Sequence, residues 1–231
     1  MTNLYVCKLP NKRSHQEIQW LFPYISVRVQ NKISRYRLIE DMYRKLIGEL
    51  LLRHPFNRCT GYKLPVQKIE ITQYGKPFLP AFPSFQYNIS HSGDWVALAT
   101  HHYPVGVDIE KIQSVESSVV KNLFSQKEYT EMLKHVRPVQ AFYEIWTAKE
   151  SFVKATGKGV LTPLHSFAVN NLLGSRIQFI HTSSKAIIEG YTCQQYRDIN
   201  GYSLAICTTK VDEKAFGGLR FCHFNDLLND L

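Results

Sequence analysis

The chain has 231 residues, 44% of them hydrophobic and 13% aromatic, enough to bury a substantial core in one large domain or two small ones, as an ordinary globular protein does. Twenty-eight Lys and Arg against 19 Asp and Glu give a net charge of +9, which points to an anionic ligand or partner: nucleic acid, a phosphorylated cofactor or an acidic protein surface. No stretch approaches the ~20 apolar residues of a membrane span. The N-terminus turns polar too soon for a secretory signal, and five scattered cysteines (Cys7, Cys59, Cys193, Cys207, Cys222) without a C-x-x-C pair speak against a disulfide framework or a zinc site. A cytoplasmic location with reduced thiols is expected.

In chain order, "LYVCKL" at 4–9 reads as a strand. Residues 30–53 carry helical spacing through Ile33, Tyr36, Ile39, Tyr43, Ile47 and Leu50, with "HPF" at 54–56 expected to stop that helix. Strand-like pieces follow at 68–73, 85–90, 95–100 and 105–110, separated by turn signals such as "YGKP" and "HSGD". The second half repeats the order, with helices near 115–135 and 138–156, then short strands near 166–169, 176–180, 185–192 and 202–208. Helix then strands occurs twice. This predicts an α+β fold of two halves, residues 1–104 and 105–231, joined around "HHYPV" at 101–105.

Three stretches carry chemistry. In "GVDIE" at 106–110, strand alternation sends Val107 and Ile109 one way and Asp108 and Glu110 the other. The two carboxylate-bearing Cα atoms would stand about 6–7 Å apart, and such charges repel unless water or a cation intervenes. A D-x-E alone is most often a solvated strand face. In the helix at 138–156, Ala141, Phe142, Ile145, Trp146, Ala148, Phe152, Val153 and Ala155 form an apolar arc, with Lys149 inside it and Glu150 at its edge. Lys149 either snorkels along its stem or meets a buried anion. Glu150 and Lys154 are spaced as an ordinary i, i+4 pair, and Gly157 and Gly159 can end the helix.

The third stretch, "NISHSG" at 88–93, puts His91 in a corner of small residues that leave its imidazole and the neighbouring hydroxyls accessible. With no G-x-S-x-G elbow it does not read as a nucleophilic triad. Lys76 lies in the "YGKP" turn, and the densest basic run is "RVQNKISRYRLIEDMYRK" at 28–45.

Together these motifs resemble a family. "GVDIE" followed some forty residues later by "WTAKESFVKATGKG" at 146–159, with "YGKP" at 74–77 and "NISHSG" upstream, is similar to the phosphopantetheinyl transferases of the long, Sfp-type branch. The resemblance runs from about residue 26 to beyond 170. It implies an α+β fold whose two similar α/β halves form a pseudo-dimer, the active site at their interface, in a chain that works as a monomer. The implied reaction moves the 4′-phosphopantetheine arm of coenzyme A to a serine of an apo peptidyl or acyl carrier protein. Adenosine 3′,5′-bisphosphate leaves, and Mg²⁺ sits on the diphosphate. Carried over residue by residue, Asp108, Glu110 and Glu150 would hold the metal, and Glu150 would be the base for the serine, with Glu110 or a metal-bound water as alternatives. Lys154 would stabilise charge on the diphosphate or leaving phosphate. Lys32, Arg44, Lys76, Ser90, His91 and Lys154 would bind coenzyme A, with His91 and Arg44 near the 3′-phosphate.

One position of a lysine pair common in the long branch is Val29 here, with Arg28 beside it and Lys32 retained. Carrier docking would fall to "QSVESSVVKNLFSQKEY" at 113–129, which matches only loosely, in the service of nonribosomal peptide or polyketide synthesis. Nucleic acid and membrane are not expected partners. A nucleic-acid module built on residues 28–45 with Tyr36 and Tyr43 is opposed by the place of both tyrosines on the helical core stripe. A non-catalytic coenzyme A or carrier-binding relative is opposed by the intact carboxylates and Lys154.

Overall fold

The two faces of the first strand, β1 (Thr2–Lys8), serve different cores: Tyr5 and Cys7 face the helices of the first half, whereas Leu4 and Val6 face a second sheet. The computed structural model describes residues 2–115, 120, 123–159, 162–171, 176–209, 216–229 and 231. After β1 come α1 (His15–Leu21), α2 (Val27–Ile33), α3 (Ile39–Thr60), a short hairpin of β2 (Glu70–Ile71) and β3 (Pro77–Phe78), then β4 (Gln86–Ser92), β5 (Trp95–His101) and β6 (Val105–Lys111). The second half has α4 (Gln126–Lys134), α5 (Pro138–Thr156), a hairpin of β7 (Phe167–Asn170) and β8 (Gln178–His181), then β9 (Thr192–Tyr196), β10 (Tyr202–Thr208), β11 (Phe216–Cys222) and α6 (Phe224–Asn229).

This is an α+β architecture in four layers. One sheet has the order β11-β1-β5-β4 and another β6-β10-β9. α3 covers the outer face of the first through residues such as Leu46 and Leu50, packed with Val96 and Leu98. α5 covers the outer face of the second through Ala148, Phe152 and Ala155 against Cys193, Ala205 and Cys207. Between the sheets, Leu4, Val6, Ala97 and Ala99 meet Val107, Ile109, Leu204 and Ile206. Each fully buried Leu, Ile or Val contributes about 1.5–3 kcal/mol, so this central layer fixes the two sheets against each other.

Several sequence expectations are corrected. The single helix expected over 30–53 is two, because the chain turns after Ile33, with Arg35 and Tyr36 N–H groups bonding back to Lys32 and Ile33. Ile33, Tyr36 and Ile39 keep helical spacing because all three reach the same core. Pro55 does not stop α3, which runs on to Thr60 and ends at Gly61 with φ 75°. Phe56 is buried edge-on against Phe82 and Phe85, and that packing offsets the backbone bond that Pro55 cannot donate.

The strand expected at 185–192 instead begins at Thr192, and β11 and α6 were not foreseen. β11 pairs parallel with β1, and Phe224 and Leu227 of α6 enter the first core, so the end of the second half is built into the sheet of the first. The helix expected near 115–135 is described from Gln126; residues 116–119 and 121–122, which the docking stretch 113–129 includes, lie outside the described residues. Among the described residues no helix is long and apolar enough to cross a membrane.

Candidate active site

Two edge strands meet where the site forms. β4 closes one end of the first sheet and β6 one end of the second, and among the described residues no backbone ladder joins them. Side chains of β4 take its place. Asn88 Oδ1 accepts from the Val107 N–H at 2.9 Å, Ser90 Oγ from Ile109 N–H at 3.4 Å and Ser92 Oγ from Lys111 N–H at 3.1 Å, each pair 19 residues apart. Period-2 alternation puts residues 88, 90 and 92 on one face, and the constant offset means that the two strands run the same way.

On the face of β6 that also carries Asp108 and Glu110, Gly106 lies against the backbone of α5. A Cβ there would stand 2.9 Å from the Lys154 carbonyl carbon and closer still to Ser151 O and Ala155 N. The bare Cα thus lets α5 cross β6 at contact, which brings Glu150 and Lys154 over Asp108 and Glu110.

Asp108 is 2% exposed. Its Oδ1 accepts from Lys154 Nζ at 2.5 Å and Ser90 Oγ at 2.9 Å, whereas Oδ2 is buried with no partner among the described residues. Glu110 accepts from Ser92 Oγ at 2.7 Å. Both line a recess of about 290 Å³ with Glu150, Lys154, His91 and Trp146. Burial raises the proton affinity of all three carboxylates; neighbouring carboxylates add to this at Glu110 and Glu150, and Lys154 opposes it. Lys154 is therefore not a surface partner of Glu150, since its ammonium reaches across the seam to Asp108 and, at 3.1 Å, to Ser90.

An unpartnered buried carboxylate oxygen beside two further carboxylates fits a hard divalent cation. Among the described residues no group of three or more His, Cys, Asp or Glu side chains is arranged to hold a metal ion by itself. A Mg²⁺ here would take the rest of its sphere from phosphate oxygens and water.

A basic cavity of about 280 Å³ adjoins the recess, lined by Arg28, Lys32, Arg44, Lys45, Lys76, His91 and Lys154. Five of the six residues expected at coenzyme A are brought together here: Lys32, Arg44, Lys76, His91 and Lys154. Ser90 instead lines the carboxylate recess. Arg44 is held by Asp41 at 2.6 Å and by the Gly93 carbonyl at 2.5 Å. Lys76 donates to the carbonyls of Val105 at 3.0 Å and Lys154 at 2.8 Å, tying the "YGKP" turn to β6 and α5. Burial pushes its ammonium down to about 8. Burial, with Lys45 and Arg44 nearby, pushes His91 down to about 4.

Lys45 was missed from the sequence. Burial, then Lys32 and Arg28, push it down. The available signal was spacing, since Lys45, Glu49 and Leu52 recur at i, i+4, i+7 and all line the cavity. Val29 is buried in the first core.

Lys149 meets a buried anion. It is 0% exposed, with Nζ at 2.7 and 3.0 Å from the Glu128 carboxylate and near the rings of Phe124 and Phe167. Glu128 also accepts from Ser125, in a capping box that starts α4, and from the Val169 N–H at 2.8 Å. Burial pushes the Lys149 ammonium down while Glu128 pushes back. The pair joins α4, α5 and β7 behind the site. Tyr43 is fully buried and bonded to Ser14 and Glu17, and Tyr36 packs on the same core, so neither offers a face for base stacking.

Comparison with known proteins identifies the family. The sequence profile of the 4′-phosphopantetheinyl transferase superfamily matches residues 104–207, and that of the 4′-phosphopantetheinyl transferase N-terminal region matches residues 12–103. The chain is 33% identical to the 4′-phosphopantetheinyl transferase psf-1 of Bacillus pumilus over 87% of its length and 86% of the relative's. It belongs to the 4′-phosphopantetheinyl transferase superfamily. This transferase is also 33% identical to 4′-phosphopantetheinyl transferase Sfp of Bacillus subtilis (strain 168), over 90% and 93% of the two chains. With 4′-phosphopantetheinyl transferase gsp of Aneurinibacillus migulanus the identity is 31% over 84% of each.

Proposed function

We propose that this transferase moves the 4′-phosphopantetheine arm of coenzyme A to a serine hydroxyl of an apo peptidyl or acyl carrier domain, in nonribosomal peptide or polyketide synthesis. The observation that carries this reading is that the basic cavity and the carboxylate recess share Ile89, His91 and Lys154. A polyanionic nucleotide in the first thus presents its diphosphate at the second. Lys32, Arg44 and His91 bind phosphate, with Arg28 and Lys45 alongside, and Lys76 closes the wall. Asp108, Glu110 and Glu150 are the residues that would hold Mg²⁺. When bound, the ion draws charge from the diphosphate oxygens as a Lewis acid, worth several kcal/mol.

Glu150 accepts the serine proton. It has no hydrogen-bond partner among the described residues, which leaves it free to take a proton, whereas Glu110 is engaged by Ser92. The serine oxygen then bonds to the phosphorus that bears the pantetheine arm, and the bond from that phosphorus to the bridging oxygen breaks. Adenosine 3′,5′-bisphosphate leaves with that oxygen, and Lys154 stabilises the charge that develops there. In this reading residues 1–104 supply most phosphate contacts and residues 105–231 the carboxylates and the carrier-docking surface. The chain acts as a monomer in the cytoplasm, where its buried free thiols Cys7, Cys193 and Cys207 stay reduced.

The test is the intact mass of an apo carrier domain incubated with this protein, coenzyme A and Mg²⁺, beside an EDTA control. A metal-dependent gain of one phosphopantetheine on serine is expected. No gain across several peptidyl and acyl carriers would refute the proposal.

A further inference from the structure

We propose that Ser92 is a positioning residue for Glu110, and that the row Asn88, Ser90, Ser92 sets the register of the carboxylate strand against the nucleotide-binding half; this rests on the transferase reading above. Among the described residues β4 and β6 are both sheet edges, so the amides of Val107, Ile109 and Lys111 meet no strand there. The three β4 side chains satisfy all of them at one constant offset. A shift of β6 by one residue would break every bond and turn both carboxylates away from the recess.

Ser92 carries a second duty. Its hydroxyl has one proton, which it donates to Glu110 Oε2 at 2.7 Å while accepting from the Lys111 N–H. That is the one hydrogen bond to the Glu110 carboxylate among the described residues, whereas Asp108 is held twice, by Lys154 and Ser90. Glu110 also has one more side-chain torsion than Asp108, so its aim depends on Ser92. The next residue, Gly93, is fixed by Arg44 through its carbonyl at 2.5 Å. One turn of chain therefore links a phosphate-binding arginine to the placement of Glu110.

The experiment compares wild type, Ser92→Ala and Ser92→Thr. Amide exchange at Lys111 is measured in metal-free protein, Mn²⁺ binding by its spin-resonance signal, and the Mg²⁺ dependence of transfer and the KM for coenzyme A in kinetics. In Ser92→Ala, Lys111 exchange speeds up and half-saturating Mg²⁺ and Mn²⁺ rise about tenfold or more, as for other partners of metal ligands. The KM for coenzyme A at saturating Mg²⁺ stays within about twofold if only the metal side is disturbed. Ser92→Thr restores wild-type values. Unchanged Lys111 exchange and metal half-saturation in Ser92→Ala overturn the inference, as does a rise in coenzyme A KM without any change in metal dependence. Should wild type show no Mg²⁺-dependent transfer, the transferase reading fails and the metal-positioning role with it, while Lys111 exchange still decides the seam.

Discussion

Gly106→Ala tests the crossing of α5 over β6. The added Cβ would meet the Lys154 carbonyl carbon at 2.9 Å, with Ser151 O and Ala155 N nearer still. These are backbone atoms in the last two turns of α5, so no side chain can swing aside. Ordinary contact begins near 3.4 Å, and the nearest atom, Ser151 O, sets the demand, so α5 must back away from β6 by about 1 Å or more. Overpacking typically costs about 1–3 kcal/mol, and two rigid backbones put this case at the upper end, about 3 kcal/mol. The same displacement carries Glu150 and Lys154 away from Asp108, and a misplacement of about 1 Å can cost ~100-fold in rate. Urea denaturation gives the stability change from the midpoint at constant m, and carrier-domain transfer gives the rate. A variant within 0.5 kcal/mol (about the spread of ordinary surface substitutions) that also turns over at the wild-type rate would refute the close-approach argument.

If Asp108 holds Mg²⁺ as proposed, Asp108→Asn should reduce Mg²⁺-dependent transfer by about 10²–10³-fold, the order of a metal ion's contribution; wild-type rates in a folded variant would sink the metal assignment. Lys149→Met leaves Glu128 buried without its cation and is expected to cost about 3–5 kcal/mol in denaturant unfolding. A loss below about 1 kcal/mol would mean that the pair is replaceable by packing alone. His91 in the fold lies at about 4, below its ordinary 6.5, so on acidification the unfolded chain takes up that proton first. Wild type should therefore lose stability relative to His91→Gln as pH falls from 6.5 to 4, with the difference levelling off below; parallel stability curves through that window would refute the burial of a neutral imidazole.

The carboxylate strand and α5 were legible because their signals are local. Alternation alone puts Asp108 and Glu110 on one face, and Pro138 and Gly157 bracket a continuous apolar arc that becomes a helix of those bounds. What was not legible depends on distant partners. The turn after Ile33 is invisible to periodicity because residues on both sides of it reach one core. β11 contains Gly217 and Gly218 and several exposed positions, and it is a strand because β1 pairs with it. The choice between a snorkelling and a paired Lys149 turned on Glu128, 21 residues earlier in the chain, to which nothing in the α5 sequence points. Ser90 was expected at the nucleotide and stands on Asp108, because the facing strand that takes its hydroxyl belongs to the other sheet.

β1 lies between β5 and β11, with Leu4 opposite Leu219, Cys7 opposite Cys222, and Arg220 reaching Tyr5 at 3.0 Å. During synthesis the opening strand therefore waits for a neighbour made more than two hundred residues later. Until residues 216–222 leave the ribosome, one side of β1 is an unpaired edge, open to pairing with other nascent chains. Such long-range parallel pairing is slow to form. The first half is thus sealed by the far end of the chain, and a nascent protein cannot complete that half ahead of the carboxylate strand.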